Sequence, residues 1–313
     1  MPVRSWLVRR AGFNLQLLRT ALALPSDSAR ILLVCLLVPW LLTGCATQIF
    51  LHPDTARKAF AEHPVDPATY RHHPEVITVT NATGHRLTGW LFAAETNHGI
   101  VLVGDGNATG IAHTYEYNRF LLDQGFNVMI LSYQGYDTND GPADIKSLVG
   151  DVETFYRCCR ARFPGQPVAL VAESISTAPF FVCASHHPEI SAIVLEALVN
   201  PRTVAYTKAN ELWLIYPLYP TTLLNTFLIT SSVPKELDLR TALKRRPQIP
   251  ALFIHHPRDR ITPYRAARQI YEKYEGPKEW LELDYDGNNA RHMIAGGDPA
   301  AKARILSFLH SRL

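Results

Sequence analysis

Residues 167–182 read PVALVAESISTAPFFV, and the position of Ser174 within that stretch decides the fold. Val168 to Ala172 form a short β-branched and alanine-rich apolar run, the pattern of a strand buried on both faces. From Ile175 onward the residues suit a helix, so Ser174 falls at the corner. A serine there has two readings. It is either the N-cap of an ordinary crossover helix or a nucleophile held at a tight turn for reaction.

The same rhythm continues outward from this corner. EVITVT (75–80) and RLTGWLFA (86–93) alternate in polarity around NATGH, whose Asn81 and Gly84 suit a turn, and predict an antiparallel hairpin. GIVLVGDG, FNVMILSY, PVALVA, SAIVLEAL, PALFIHH and EWLELD are short apolar runs. Most are separated by helix-length segments at 113–124, 143–163, 174–187, 263–274 and 298–312. Buried strands alternating with helices predict an α/β fold, a mostly parallel sheet with helices on both faces, entered through the hairpin. Residues 199–247 break the alternation, and their Leu, Tyr and Pro content predicts a helical cap over the carboxyl edge of the sheet. Trp213, Leu214, Tyr216, Tyr219, Leu223 and Leu224 in that cap would line an apolar pocket.

Composition narrows the function. The chain of 313 residues is 47% hydrophobic and 19% charged, ordinary for one large α/β domain. From Cys45 onward 26 Lys and Arg face 27 Asp and Glu, so the net charge of +3 resides in the leader and no nucleic-acid partner is expected. That leader carries five arginines, then ILLVCLLVPWLL ending at TGC, the layout of an export signal. LLTGC resembles the lipobox of bacterial lipoproteins, which implies cleavage before Cys45 and its acylation. Ala46 would then direct the protein to the outer membrane of a Gram-negative envelope. A membrane-spanning signal anchor is the alternative, though a span needs about 20 apolar residues and Pro39 interrupts this run. Arg9-Arg10 admits a twin-arginine signal. The expected organisation is a signal at 1–44, a linker at 45–73 and one domain at 74–313. Cys158, Cys159 and Cys183 are read as small buried side chains, or with one of the adjacent pair bridging to Cys183 and one thiol left buried. No spacing suggests a metal site.

The order of hairpin, GDGN loop, serine corner, insertion, Asp loop and His loop resembles the α/β-hydrolase superfamily over residues 75–313. The branch with an HGN loop and a DYRGYG strand end fits best, since GDGN and SYQGYD stand in those places. The superfamily's elbow is G-x-S-x-G because the residues two before and two after the serine crowd each other and the neighbouring strand. Here those places hold Ala172 and Ser176, both small. The resemblance implies Ser174 as nucleophile, His292 as base and Asp259 as the acid partner, in the superfamily's chain order. Glu196 is a second place from which this fold presents an acid, and Ser176 a second, helical serine. The resemblance also implies an oxyanion hole from the backbone N–H groups of Ile175 and Asn107. Asp105 replaces the family's histidine, and a carboxylate aimed at an oxyanion would oppose it. His255 with His256, and His186 with His187, are read as surface or packing residues unable to aim both rings at one ion. Asp284 and Asp286 are expected to shape the loop holding His292.

These residues predict a lipid-anchored serine hydrolase acting on a small-molecule or lipid ester, or on a thioester or amide. Activity would rise as the His292 imidazole loses its proton, and neither metal nor cofactor is required. The departures at Ala172, Ser176 and Asp105 sustain a rival reading, an inert fold that binds a ligand or partner.

Overall fold

The computed structural model describes residues 51–62, 72–107, 109–213, 227 and 230–313. The leader, Cys45, and the cap residues Leu214, Tyr216, Tyr219, Leu223 and Leu224 lie outside them, as does the side chain of Trp213. Among the described residues no helix is long and apolar enough to cross a membrane.

A single sheet of eight strands organises the chain. The strands are β1 (Glu75–Thr80), β2 (Arg86–Phe92), β3 (Ile100–Gly104), β4 (Asn127–Leu131), β5 (Val168–Glu173), β6 (Ala192–Glu196), β7 (Ala251–His255) and β8 (Lys278–Glu282). Their order is β1-β2-β4-β3-β5-β6-β7-β8. β1 and β2 are antiparallel to each other, β2 is antiparallel to β4, and the remaining pairs are parallel. The predicted hairpin is present, turned by Asn81, whose Oδ1 accepts the backbone N–H groups of Thr83 and His85. In β3 to β7 every residue is buried, which explains why those strands read as continuous apolar runs rather than as alternation.

Alternate side chains of each strand enter two separate cores. One face takes Ile100, Leu102, Leu170 and Phe253 and is covered by α3 (Leu148–Arg162), α4 (Thr177–His186), α6 (Leu239–Leu243) and α7 (Tyr264–Lys273). The other takes Val101, Val103, Val171 and Ile254 and is covered by α2 (Ile111–Asn118) and α8 (Pro299–His310). Large apolar side chains such as Phe155 and Phe180 are fully buried, each contributing about 1.5–3 kcal/mol through removal from water.

One expectation changes. The stretch expected to be a linker contains a helix, α1 (Pro53–Glu62), anchored by Leu51 and Ala56 in the core. Its apolar positions are few and its charged ones many, so the sequence there resembles a connector although two residues dock. Of the cap, α5 (Pro201–Trp213) and α6 are helical, as expected for that insertion. Cys158, Cys159 and Cys183 are all free thiols, and Cys159 Sγ donates to Met129 Sδ at 3.3 Å.

Packing is tightest where β3 passes β5. Gly104 pairs with Ala172, and a Cβ placed on Gly104 would lie inside van der Waals contact with the Phe180 ring and 2.9 Å from Ser176 Cβ. Overpacking of this kind costs about 1–3 kcal/mol. Gly104→Ala should therefore lower the unfolding free energy measured by urea titration by that amount, and adding Phe180→Leu should restore part of it.

Candidate active site

The corner after β5 is built from strain. Ser174 has φ +52°, in the left-handed region that L-residues avoid, and follows an extended Glu173 at φ −121°. A short 3-10 turn, Ser174–Ser176, then leads into α4. The left-handed residue reverses the chain sharply enough to lift the hydroxyl off the end of the strand. Ser176 is 0% exposed; its Oγ accepts from Tyr133 O–H at 2.8 Å and donates to the Asp105 carbonyl. Ser176 therefore braces the elbow against the loop after β3. The crowding is met on the neighbouring strand, where Gly104 leaves room for Ser176 and Phe180.

Ser174, His292 and Asp259 meet at the carboxyl ends of β5, β8 and β7. His292 Nε2 stands 2.8 Å from Ser174 Oγ, and its Nδ1 stands 2.8 Å from Asp259 Oδ2. The Asp259 side chain is 1% exposed. Its Oδ1 accepts the N–H groups of Ile261 and Thr262 at 2.7 and 2.9 Å, and its Oδ2 accepts the Thr262 hydroxyl at 2.8 Å. Burial alone would raise the Asp259 carboxyl, but the hydrogen bond and charge of His292, with the Thr262 donors, hold it below the usual carboxylate range. Such an arrangement can draw a proton from the hydroxyl and stabilise the imidazolium that results.

Glu196 has a different place from the one expected for an alternative acid. Its Oε1 accepts the backbone N–H groups of Ile294 and Ala295 at 2.7 and 2.8 Å, and Tyr117 O–H donates to Oε2 at 2.9 Å. It clamps the loop just beyond His292 rather than the imidazole itself. Arg291 and Met293 on either side of His292 both have φ +51°, so the loop needs such clamps. Asn288 brackets His292 by donating to its carbonyl at 2.8 Å and accepting its N–H at 3.3 Å. Asp286 pairs with Arg291 and Arg258, whereas Asp284 is exposed at the rim. Asn288 and Tyr117 were not foreseen. Asn288 lies in the NNARH run four residues before the histidine, and that proximity was the only signal.

The expected oxyanion loop is held from outside. Asn107 Oδ1 accepts His52 N–H at 2.9 Å and Tyr136 O–H at 3.0 Å, which fixes the side chain of the residue expected to supply an oxyanion donor. Ile175 opens the elbow turn, and the first N–H groups of a helical turn have no partner within it. Asp105 is 0% exposed, and neither carboxyl oxygen has a hydrogen-bond partner among the described residues. Burial, followed by the charges of Asp137 and Glu173, pushes its pKa well up. Burial that favours the protonated carboxyl lessens the opposition a carboxylate there would offer an oxyanion.

Of the histidine doublets, the first packs as expected and the second departs from expectation. His255 and His256 are both buried, at 1% and 2% exposure; His255 lies in stacked contact with Trp280 and its Nε2 stands 3.8 Å from Asp259 Oδ2. Burial lowers the pKa of His255. His186 and His187 do converge on one group, the carboxylate of Glu153, because α4 ends between them and rotates the second ring back. A groove of about 310 Å³ borders the His292 loop, lined by His113, Tyr117, Tyr285, Asn288, Met293 and Gly296.

The buried Asp105 has a consequence for stability. The folded state holds this proton more tightly than the unfolded chain does, so stability falls as pH rises from the ordinary carboxylate range toward the raised value. Asp105→Asn should leave the urea midpoint near that of the wild type at pH 5 and raise it at pH 8. Equal pH dependence in the two proteins would contradict a proton held there.

No protein-family model matches the chain. It is 22% identical over 292 residues to the uncharacterized protein YfhR of Escherichia coli K12, spanning 90% of this chain and 94% of that protein. It is 24% identical over 222 residues to the α/β hydrolase domain-containing protein WAV2 of Arabidopsis thaliana, spanning 67% of this chain and 70% of that one. Among solved structures, the Pyrococcus furiosus esterase Pf2001 superposes with a TM-score of 0.61 at 15% identity, covering 79% of this chain and 94% of the esterase. The esterase EaEST of Exiguobacterium antarcticum superposes with a TM-score of 0.54 at 13% identity, covering 75% of this chain and 99% of that one. With its sheet order and elbow, these likenesses give the chain the α/β-hydrolase fold and a similarity to the α/β-hydrolase superfamily.

Proposed function

We propose that the chain is a serine hydrolase cleaving a carboxylic ester, or a thioester or amide, through an acyl-enzyme. The observation that supports it is the continuous chain of hydrogen bonds from Ser174 Oγ through His292 to Asp259, at a corner with φ +52°. Ser174 Oγ attacks the carbonyl carbon while its proton passes to His292 Nε2. The N–H groups of Ile175 and Asn107 hold the resulting oxyanion, an interaction worth about 2.7–4 kcal/mol per donor in comparable sites. Collapse of the tetrahedral intermediate expels the alcohol, which takes the proton from His292. Water then attacks the acyl-enzyme with His292 as base, the acid departs, and Ser174 regains its hydrogen. Throughout, ionised Asp259 orients the ring and balances its charge.

The rival inert reading rests on three departures, and each has a physical counterweight here. Gly104 makes space for Ser176, Ala172 faces that same glycine, and burial shifts Asp105 toward its protonated form. A fluorophosphonate should label wild-type protein on the tryptic peptide carrying Ser174. Ser174→Ala should lose labelling and at least about 10⁴-fold in ester hydrolysis. Full hydrolysis by that variant, or an unlabelled wild type, would remove the assignment.

The proposal extends to export and lipid attachment at Cys45, with the domain on the periplasmic side of an outer membrane. One acyl chain alone binds a bilayer marginally, whereas the several chains of a lipoprotein anchor it stably. Cells fed labelled palmitate should incorporate it into the wild type, and the mature protein should sediment with outer-membrane vesicles. Cys45→Ala should incorporate none.

A further inference from the structure

A second constellation lies at the far end of α4 from the elbow, where nothing in the hydrolytic reading uses it. Cys183 and His187 project from the end of α4 toward Glu153 of α3. The ligand atoms of these three side chains lie within 4.8 Å of one another. From Thr177 to His187 the helix rises about 15 Å, which separates this cluster from Ser174. We propose that Glu153, Cys183 and His187 form a binding site for a zinc-class divalent transition-metal ion.

The donor chemistry is mixed thiolate, imidazole and carboxylate. That combination suits zinc and other borderline ions and is poorly matched to calcium or magnesium, which take oxygen ligands. Zinc bond lengths of about 2.0–2.3 Å at tetrahedral angles set ligand atoms about 3.3–3.6 Å apart. Glu153 Oε2 and His187 Nε2, now 2.7 Å apart, would open slightly, and the sulfur would move inward by about an ångström. Side-chain rotation covers such movements. The fourth position opens to water on the side where the His187 side chain is 22% exposed.

The surrounding groups orient these ligands as metal sites require. His187 Nδ1 stands 3.1 Å from Glu189 Oε1, and Tyr156 O–H donates to the same oxygen at 2.8 Å. A proton on Nδ1, donated to Glu189, turns the Nε2 lone pair toward the Glu153 carboxylate. Two electron-rich atoms at 2.7 Å need a cation between them, and that cation is either a proton or a metal ion. His186 Nδ1 holds the other Glu153 oxygen at 3.0 Å, a carboxylate-orienting contact. The Cys183 thiol is buried and makes no hydrogen bond among the described residues. Arg157 lies 3.7 Å from Glu153 Oε2 on a side chain that is 73% exposed, and it can swing into solvent as the ion enters. Binding releases the Cys183 proton and the proton shared between His187 and Glu153 to solvent. The two negative ligands then neutralise the divalent ion.

The test uses the purified full chain, stripped with chelator and titrated with zinc alone or cobalt(II) alone. Wild type should bind one equivalent of zinc, and bound cobalt should show a thiolate-to-metal charge-transfer band. Cys183→Ser should abolish the band and weaken zinc at least tenfold. Glu189→Gln, which changes only the oriented outer partner, should keep the band and weaken zinc by about tenfold. Ser174→Ala should bind as wild type does, separating this site from the hydrolytic one. Absence of the cobalt–thiolate band in wild type overturns the proposal. So does a Cys183→Ser protein with undiminished zinc affinity. If Cys183→Ser does not fold, the wild-type spectrum and the Glu189→Gln affinity decide.

Discussion

The close passage of the serine elbow over the end of β3 is the constraint on which the rest depends. Ser174 can hold a left-handed conformation only because Ser176 is pinned to the Asp105 carbonyl and Tyr133, and because Gly104 offers no side chain beneath. Strain of this kind costs about 1–3 kcal/mol and persists where surrounding structure over-determines it. The parallel sheet supplies that determination. β5 is flanked by β3 and β6, fully buried, and unable to relax toward solvent.

The same geometry concentrates carboxyl groups beneath the site. Glu173 and Glu196 face each other across β5 and β6, and Asp105 lies at the end of the adjoining strand. Burial pushes all three toward the protonated form, and like charge adds to the shift of Asp105 and Glu173. Asp259 is pushed the other way by its donors. Carboxyl groups close to one another are thus shifted in opposite directions: burial outweighs the donors at Glu173 and Glu196 and meets none at Asp105, whereas the four donors and the charge of His292 outweigh it at Asp259. Glu196 shows how a buried acid can serve without reacting, since its bonds go to the backbone after His292.

Much of this was legible in residue order. The eight strands follow from apolar runs, and the meeting of Ser174, Asp259 and His292 follows from corner and loop positions once the superfamily order is applied. Helix α1 was missed because, among the described side chains, Leu51 just before it and Ala56 within it are the buried ones, too few for a periodic signal. Glu196 stayed open as an alternative acid because sequence places it at a strand end without revealing whether it faces a ring or a backbone. The His186–His187 pair was misread for a related reason: consecutive side chains on a regular helix diverge by about 100°, but the helix ends between them. The Asp105 departure looked damaging because sequence gives residue type and not protonation.

The separations within the site have a further meaning. Ser174 and His292 are 118 residues apart, and the imidazole belongs to the loop that follows the last strand of the sheet. Parallel strands joined by long crossovers come together slowly, because distant segments must meet before any contact rewards them. A nascent chain emerging from the ribosome therefore carries its hydroxyl long before it has an imidazole to activate it. On the proposed hydrolytic role, reactivity would be withheld until the segment carrying His292 has been synthesised and docked, so incomplete copies would stay chemically silent without any separate inhibitor.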